Sequence, residues 1–269
     1  MLLFFNKYIS VLRMNWIQAL EYRANALVGV FAIISGLFIE YQIWSLIFDA
    51  KGVSKIKNFT FEELIVFIFL SIIIGQLKSS WQTSGDMIRA IRTGDINKYL
   101  IRPVSYFWYN FMMFLGVNSL YYIVYSSILI LFTLIFPALI FPTFLNFVGF
   151  LLALFLSIYL SYTIYFTMIC FAFWFGEVRS LVVSYNLAML VLSGQYIPIR
   201  LFPEKILNIL NWSPIRYLVD FPVSIATGLL PYDEWLLGFI IAIIWCLLLS
   251  IISLLIYKSG IKSYEAYGS

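Results

Sequence analysis

Between Arg102 and Glu177 the chain carries no Asp, Glu, Lys or Arg over 74 consecutive residues. Such a run has no polar face to turn to water, so a bilayer has to solvate it. A helix rises about 1.5 Å per residue and needs about 20 largely apolar residues to cross the hydrocarbon core. The run is therefore too long for one crossing, and Pro137 and Pro142 near its middle split it into two helices joined by a tight turn. The remaining sequence has the same character, with 63% of all residues hydrophobic and 11% charged, against about 25% charged in an ordinary soluble domain. A water-soluble globule is excluded.

Four shorter uncharged windows lie outside this run, bounded by Arg23 and Glu40, Glu63 and Lys78, Arg179 and Arg200, and Glu234 and Lys258. The first reaches spanning length by continuing through Glu40. The second does so if Lys78 snorkels at one interface with Trp81 as an interfacial aromatic. The expected fold is all-α: a polytopic membrane protein with six transmembrane helices at about 24–48, 62–82, 107–135, 144–175, 180–198 and 235–257. The whole chain, 1–269, is then a single transmembrane domain with both termini on one side.

Lysine and arginine select that side. The segments facing it hold Lys7, Arg13, Arg23, Lys78, Arg89, Arg92, Lys98, Arg102, Arg179, Lys258 and Lys262; the opposite face has Lys51, Lys55, Lys57, Arg200, Lys205 and Arg216. The positive-inside rule makes the richer side cytoplasmic and so places both termini inside; the expected location is the cell (plasma) membrane. The formal net charge of +4 thus reports topology and implies no nucleic-acid partner.

Several chemistries lack their residues. The sequence has no histidine, and its two cysteines, Cys170 and Cys246, lie inside apolar runs. His-based catalysis and a Cys/His metal site are therefore excluded, and neither a catalytic nor a metal site is expected. The carboxylates Glu177, Asp220 and Asp233 fall on different loops without a paired arrangement. Gly75-Gln-Leu-Lys78, the nearest approach to a phosphate loop, lacks the second glycine whose backbone would cradle phosphate. No cofactor is expected in this chain.

Three segments do not span. Residues 2–22 place Phe5, Ile9, Leu12, Trp16 and Leu20 at helical spacing among polar residues, which predicts an interfacial helix along the cytoplasmic headgroups. Loop 199–234 contains Pro203, Pro214, Pro222 and Pro231. Pro203 suits a helix start, and Ile215 to Ala226 forms an apolar segment ending at Gly228, where a left-handed cap is easy. Short re-entrant helices before the sixth span are expected there, on the extracytoplasmic side. In the cytoplasmic loop 83–103, Ser84 or Asp86 can cap a two-turn helix that Gly94 ends, and Asp95 can cap a further turn reaching Leu100 before Pro103. Isolated helices this short are marginal in water, so the membrane surface or a partner protein must hold this one.

That loop carries a resemblance. Arg92-x-Gly94-Asp95-Ile96-x-x-x-Leu100-x-x-Pro103, followed by Leu192-Ser-Gly-Gln-Tyr-Ile-Pro-Ile-Arg-Leu-Phe-Pro203, Trp212-Ser-Pro-Ile-Arg-Tyr217 and Thr227-Gly228, resembles the membrane subunit of a type-two ATP-binding-cassette (ABC) exporter over nearly the whole chain. The resemblance implies a permease that pairs with a second permease, identical or paralogous, and is driven by separate ABC ATPase subunits that bind ATP and Mg. It also implies that the loop is a coupling helix, with Asp86, Arg89, Arg92, Gly94, Asp95 and Leu100 facing the ATPase. Glu177 and Arg179, in the turn after the fourth span, are by the same likeness a second ATPase contact.

Inside the spans, Glu40 is either a snorkelling carboxylate near the outer end of the first helix or a substrate contact. Asn118, Tyr121, Tyr125, Tyr162, Tyr165, Asn186 and Ser193 either line an export path or bond neighbouring helices. Gly149, Ala153, Ser157 and Ser161 form a small-residue stripe that lets another helix approach closely. The alternative to ATP-driven export is an ATP-independent channel or secondary transporter, which would favour intramembrane charges and helices broken at the midplane.

Overall fold

A computed structural model describes residues 2–21, 23–57, 59–79 and 81–264 as helices with one minimal hairpin. In chain order α1 is Leu2–Glu21 and α2 is Arg23–Lys51; the strands β1 (Lys55–Ile56) and β2 (Phe59–Thr60) pair antiparallel; α3 is Phe61–Leu77, α4 Trp81–Arg92 and α5 Asn97–Leu100. Then follow α6 (Tyr106–Ile135), α7 (Phe144–Cys170), α8 (Ala172–Phe175) and α9 (Arg179–Leu192). A 3₁₀ turn Ile199–Leu201, α10 (Glu204–Trp212), a second 3₁₀ turn Arg216–Leu218, α11 (Asp220–Ala226) and α12 (Tyr232–Ser263) complete the chain. The fold is all-α as expected. Four helical stretches are long and apolar enough to cross a membrane: Val28–Lys51, Tyr106–Ile135, Phe144–Phe175 and Tyr232–Ser263.

The other two expected spans are shorter. α3 has 17 residues and α9 has 14, about 26 and 21 Å of helix. α3 does not continue to residue 82: it ends at Leu77, and α4 begins at Trp81, whose side chain lies outside the described part. Lys78 does not snorkel. It is 7% exposed, and its carbonyl accepts a hydrogen bond from the Ser161 hydroxyl at 2.9 Å. α9 stops at Leu192 instead of reaching 198, because Gly194 turns the chain with φ +86°.

α3 is apolar all round and forms the centre of the core, with Leu64, Phe67 and Ile68 at 0% exposure. Its start is fixed by a capping box: Glu63 N–H donates to the Thr60 hydroxyl, and Thr60 N–H to the Glu63 carboxylate. The small stripe of α7 is a packing seam. A Cβ on Gly149 would lie 2.5 Å from the Trp235 ring, Ala153 is buried, and the Ser157 hydroxyl donates to the Leu218 carbonyl at 2.6 Å. Ser157 follows the N-cap Thr143 by 14 residues, so the turn at Leu218 sits about 21 Å along α7. From there α11 runs back, and Asn146 donates to the Ile225 carbonyl at 2.7 Å while Phe141 N–H donates to Ala226 at 2.7 Å. Gly228 closes the segment with φ +69°, the left-handed cap expected there.

α1 has a protein partner in addition to any lipid surface. The Tyr8 hydroxyl accepts from Ser105 N–H at 3.0 Å. A Cβ on Gly116 of α6 would lie 2.8 Å from the Leu12 carbonyl, so the two backbones touch. The docked stripe is the buried Tyr8 and Asn15 with the half-buried Leu12 between them, whereas Ile9 and Leu20 remain exposed. The predicted apolar stripe is therefore shifted by about a quarter turn from the face that docks.

Candidate functional site

α4 is long enough to have two faces. Met87, Ile88 and Ile91 are each 2% exposed, and Ile96 beyond the helix is 0% exposed. They pack into a cluster with Tyr106, Phe107 and Phe111 of α6 and Phe166, Ile169 and Cys170 of α7. This burial holds the short helix, in place of the caps expected from the sequence. Ser84 and Asp86 do not cap it: the helix starts at Trp81, Ser84 is buried, and Asp86 pairs with Arg89 one turn later on the exposed face. Nor does Asp95 cap α5, which has Ile96 before it and no side-chain cap. Asp95 instead lies 3.1 Å from the Thr93 hydroxyl and 3.7 Å from Lys98 Nζ.

Three of the last four carbonyls of α4, which have no partner within the helix, are satisfied by other groups. Arg89 O accepts Thr93 N–H at 2.9 Å, Ala90 O accepts Ile96 N–H at 3.0 Å, and Ile91 O accepts the Tyr264 hydroxyl at 3.1 Å. Gly94 makes the reversal with φ +83°, a conformation that glycine adopts without strain.

Two segments that the sequence presents 85 residues apart meet here. Arg92 donates to the Glu177 carboxylate, whose other oxygen accepts Arg179 N–H at 3.0 Å. Asp86, Arg89, Arg92, Gly94, Asp95 and Glu177 thus belong to one surface, with Leu100 on its margin at 43% exposure. Two clefts flank the loop. One of about 240 Å³ runs between α4, α5 and α6, lined by Asp86, Arg89, Asp95, Lys98 and Tyr99. The other, about 430 Å³, is bounded by Arg92, Phe173, Trp174, Phe175, Gly176 and Tyr264. Burial, with Tyr109 alongside, pushes the Tyr99 phenol up to about 12. Burial and the Asp95 carboxylate likewise raise Tyr264 above its ordinary range, so both hydroxyls stay protonated donors.

The candidate pathway residues do not converge in this way. The Asn118 amide donates to Phe114 of its own helix. Tyr121 and Tyr125 stack on each other at 5.9 Å and pack over Gly29 of α2. Tyr162 donates to the Phe107 carbonyl at 2.6 Å. Asn186 accepts from Tyr165, and Ser193 donates to Met189 at 2.5 Å. Glu40 accepts from Trp44 Nε1, one turn on, at 3.1 Å. Sequence reasoning missed Tyr264, which no motif marks, and the Arg216–Asp220 pair at 3.4 Å, whose carboxylate is 2% exposed beside the break at Gly194.

Long apolar helices that present an ionic loop held on an aromatic base have the form of a multi-pass membrane protein. The chain belongs to the ABC-2 transporter family: the family model described as ABC-2 family transporter protein matches residues 32–268. It is accordingly a transmembrane permease of the ABC-transporter type, a transport subunit that is not itself an enzyme. No curated protein matches the chain.

Proposed function

We propose that this permease is an exporter subunit whose coupling surface is the Asp86–Leu100 loop together with the Glu177 turn, and that a separate ABC ATPase carrying ATP and Mg docks there. The observation that supports this most is the joining of the two segments by Arg92 and Glu177. A force applied to either is applied to both. The side chains turned outward around it, Arg89, Arg92 and Lys98 with Asp86 and Asp95, are about half-exposed or more, available to a partner of mixed charge.

The same reading makes 1–269 one transmembrane domain with six crossings in the plasma membrane and both termini cytoplasmic. α3 crosses with its capped start outside, and α9 crosses together with the bent segment after Gly194. Segment 199–234 re-enters from outside, descending to Leu218 and returning through α11; its deepest turn, Tyr217 to Val219, is buried by protein, as irregular backbone at membrane depth requires. Two such permeases, alike or unlike, complete the channel. The break at Gly194 and the buried Arg216–Asp220 pair are also features of secondary transporters, and an ATP-independent carrier is the second reading.

The test is purification of the tagged full chain from native membranes in mild detergent, wild type beside Arg92→Glu, with mass identification of what co-elutes. A soluble ATPase that accompanies the wild type and is lost from the variant is the expected result. A lone permease oligomer in every detergent would overturn the proposal in favour of the carrier.

A further inference from the structure

α12 is an unbroken helix of 32 residues, about 48 Å long, and it is gripped at several levels. Towards its start, Tyr232 donates to the Asn146 side chain at 2.8 Å, and further along Trp245 Nε1 donates to the Trp212 carbonyl at 2.9 Å. At its far end Gly260 lies against Phe173, where a Cβ would come within 2.3 Å of the ring. The next residue after the helix is Tyr264. Its ring meets Phe173 edge-on at 5.6 Å, and its hydroxyl donates to Ile91 O at 3.1 Å. Of the terminal carbonyls of α4 described above, Ile91 O is the one satisfied from outside the loop.

We infer that Tyr264 is a positioning residue for coupling: it ties the end of α12 to the last turn of α4, so the pose in which the loop meets the ATPase follows the position of α12. This rests on the reading of the loop as the ATPase contact. A movement of the segment around Trp212 and Asn146 reaches the loop through one rod and one hydrogen bond. The phenol, protonated over the physiological range, keeps that bond.

The experiment uses the full chain in lipid nanodiscs, with Tyr264→Phe removing the hydroxyl and Tyr264→Leu removing the ring. Amide exchange over 88–99 reads the clamp in the permease alone. Loss of one hydrogen bond should speed it about five-fold in Tyr264→Phe. In the co-purified complex, the permease-dependent kcat for ATP hydrolysis should fall by half or more at unchanged KM, with the ATPase still bound because Arg89 and Arg92 are intact. Unchanged exchange in both variants overturns the clamp. Faster exchange with unchanged kcat overturns the positioning role. If even the wild type brings down no ATPase, the coupling reading and this role fall together, and the exchange data alone decide whether Tyr264 holds the loop.

Discussion

Arg92 at the end of α4 and Glu177 in the turn before α9 form an ion pair between side chains 52% and 44% exposed. Half-exposed pairs contribute about 0–1 kcal/mol, so this one does little for stability and much for geometry. It holds the Gly176 turn, at φ +70°, against the loop. Glu177→Arg should therefore leave the detergent unfolding temperature within a degree or two of wild type while reducing ATPase co-elution several-fold. The double reversal, Arg92→Glu with Glu177→Arg, re-forms the pair with inverted sign. Recovery of co-elution in the double variant would mean that the strap, and not the Arg92 charge itself, is what the ATPase requires.

Glycines on α7 and α2 should respond differently to added volume. At Gly149 a new Cβ meets the Trp235 ring at 2.5 Å and Ile225 Cγ2 at 3.1 Å; at Gly36 it meets nothing within 4 Å. Overpacking a tight site costs about 1–3 kcal/mol. Gly149→Val is expected to lower the unfolding temperature clearly, and Gly36→Val to leave it nearly unchanged. A thermal scan by intrinsic tryptophan fluorescence decides between them, and equal effects would mean that the α7 stripe is not a close-packed seam.

This contrast shows what the sequence discloses. Local signals held: the break between Pro137 and Pro142, Pro203 immediately ahead of α10, and the left-handed Gly94 and Gly228 are where chain chemistry alone puts them. Signals that depend on packing did not. Ser84 and Asp95 are good caps in isolation, but burying Met87, Ile88, Ile91 and Ile96 against α6 and α7 fixes the loop without them. Lys78 looks like a snorkelling residue until it is found buried at 7% exposure, with Ser161, 83 positions away, bonded to its backbone carbonyl. The partners of Arg92 and Ile91, 85 and 173 residues distant, have no local trace.

Sidedness can be read with one reagent. Val53, between α2 and β1, is 41% exposed, and Ile101, beyond α5, is 85% exposed; both native cysteines are buried. With a membrane-impermeant maleimide added to intact cells, Val53→Cys should label and Ile101→Cys should label only after permeabilisation. The reverse pattern would invert the topology and remove the loop from the ATPase side.

Arg216 and Asp220, one turn apart beside the break at Gly194, face each other at 3.4 Å with the carboxylate 2% and the guanidinium side chain 17% exposed. The Asp220 backbone N–H also donates to the Ser193 carbonyl at 3.2 Å, so this residue fastens α11 to the end of α9. Removing one partner of a buried pair strands the other charge and costs about 3–5 kcal/mol, whereas replacing both with apolar groups is often close to neutral. Asp220→Leu should therefore reduce the yield of folded permease severely, and Arg216→Met combined with Asp220→Leu should recover most of it, because the backbone bond to Ser193 survives both changes. Size-exclusion profiles and thermal midpoints of the two single variants and the double variant complete the cycle. Recovered folding with restored ATPase stimulation assigns the pair to structure alone; recovered folding without it would show that the buried charges take part in transport.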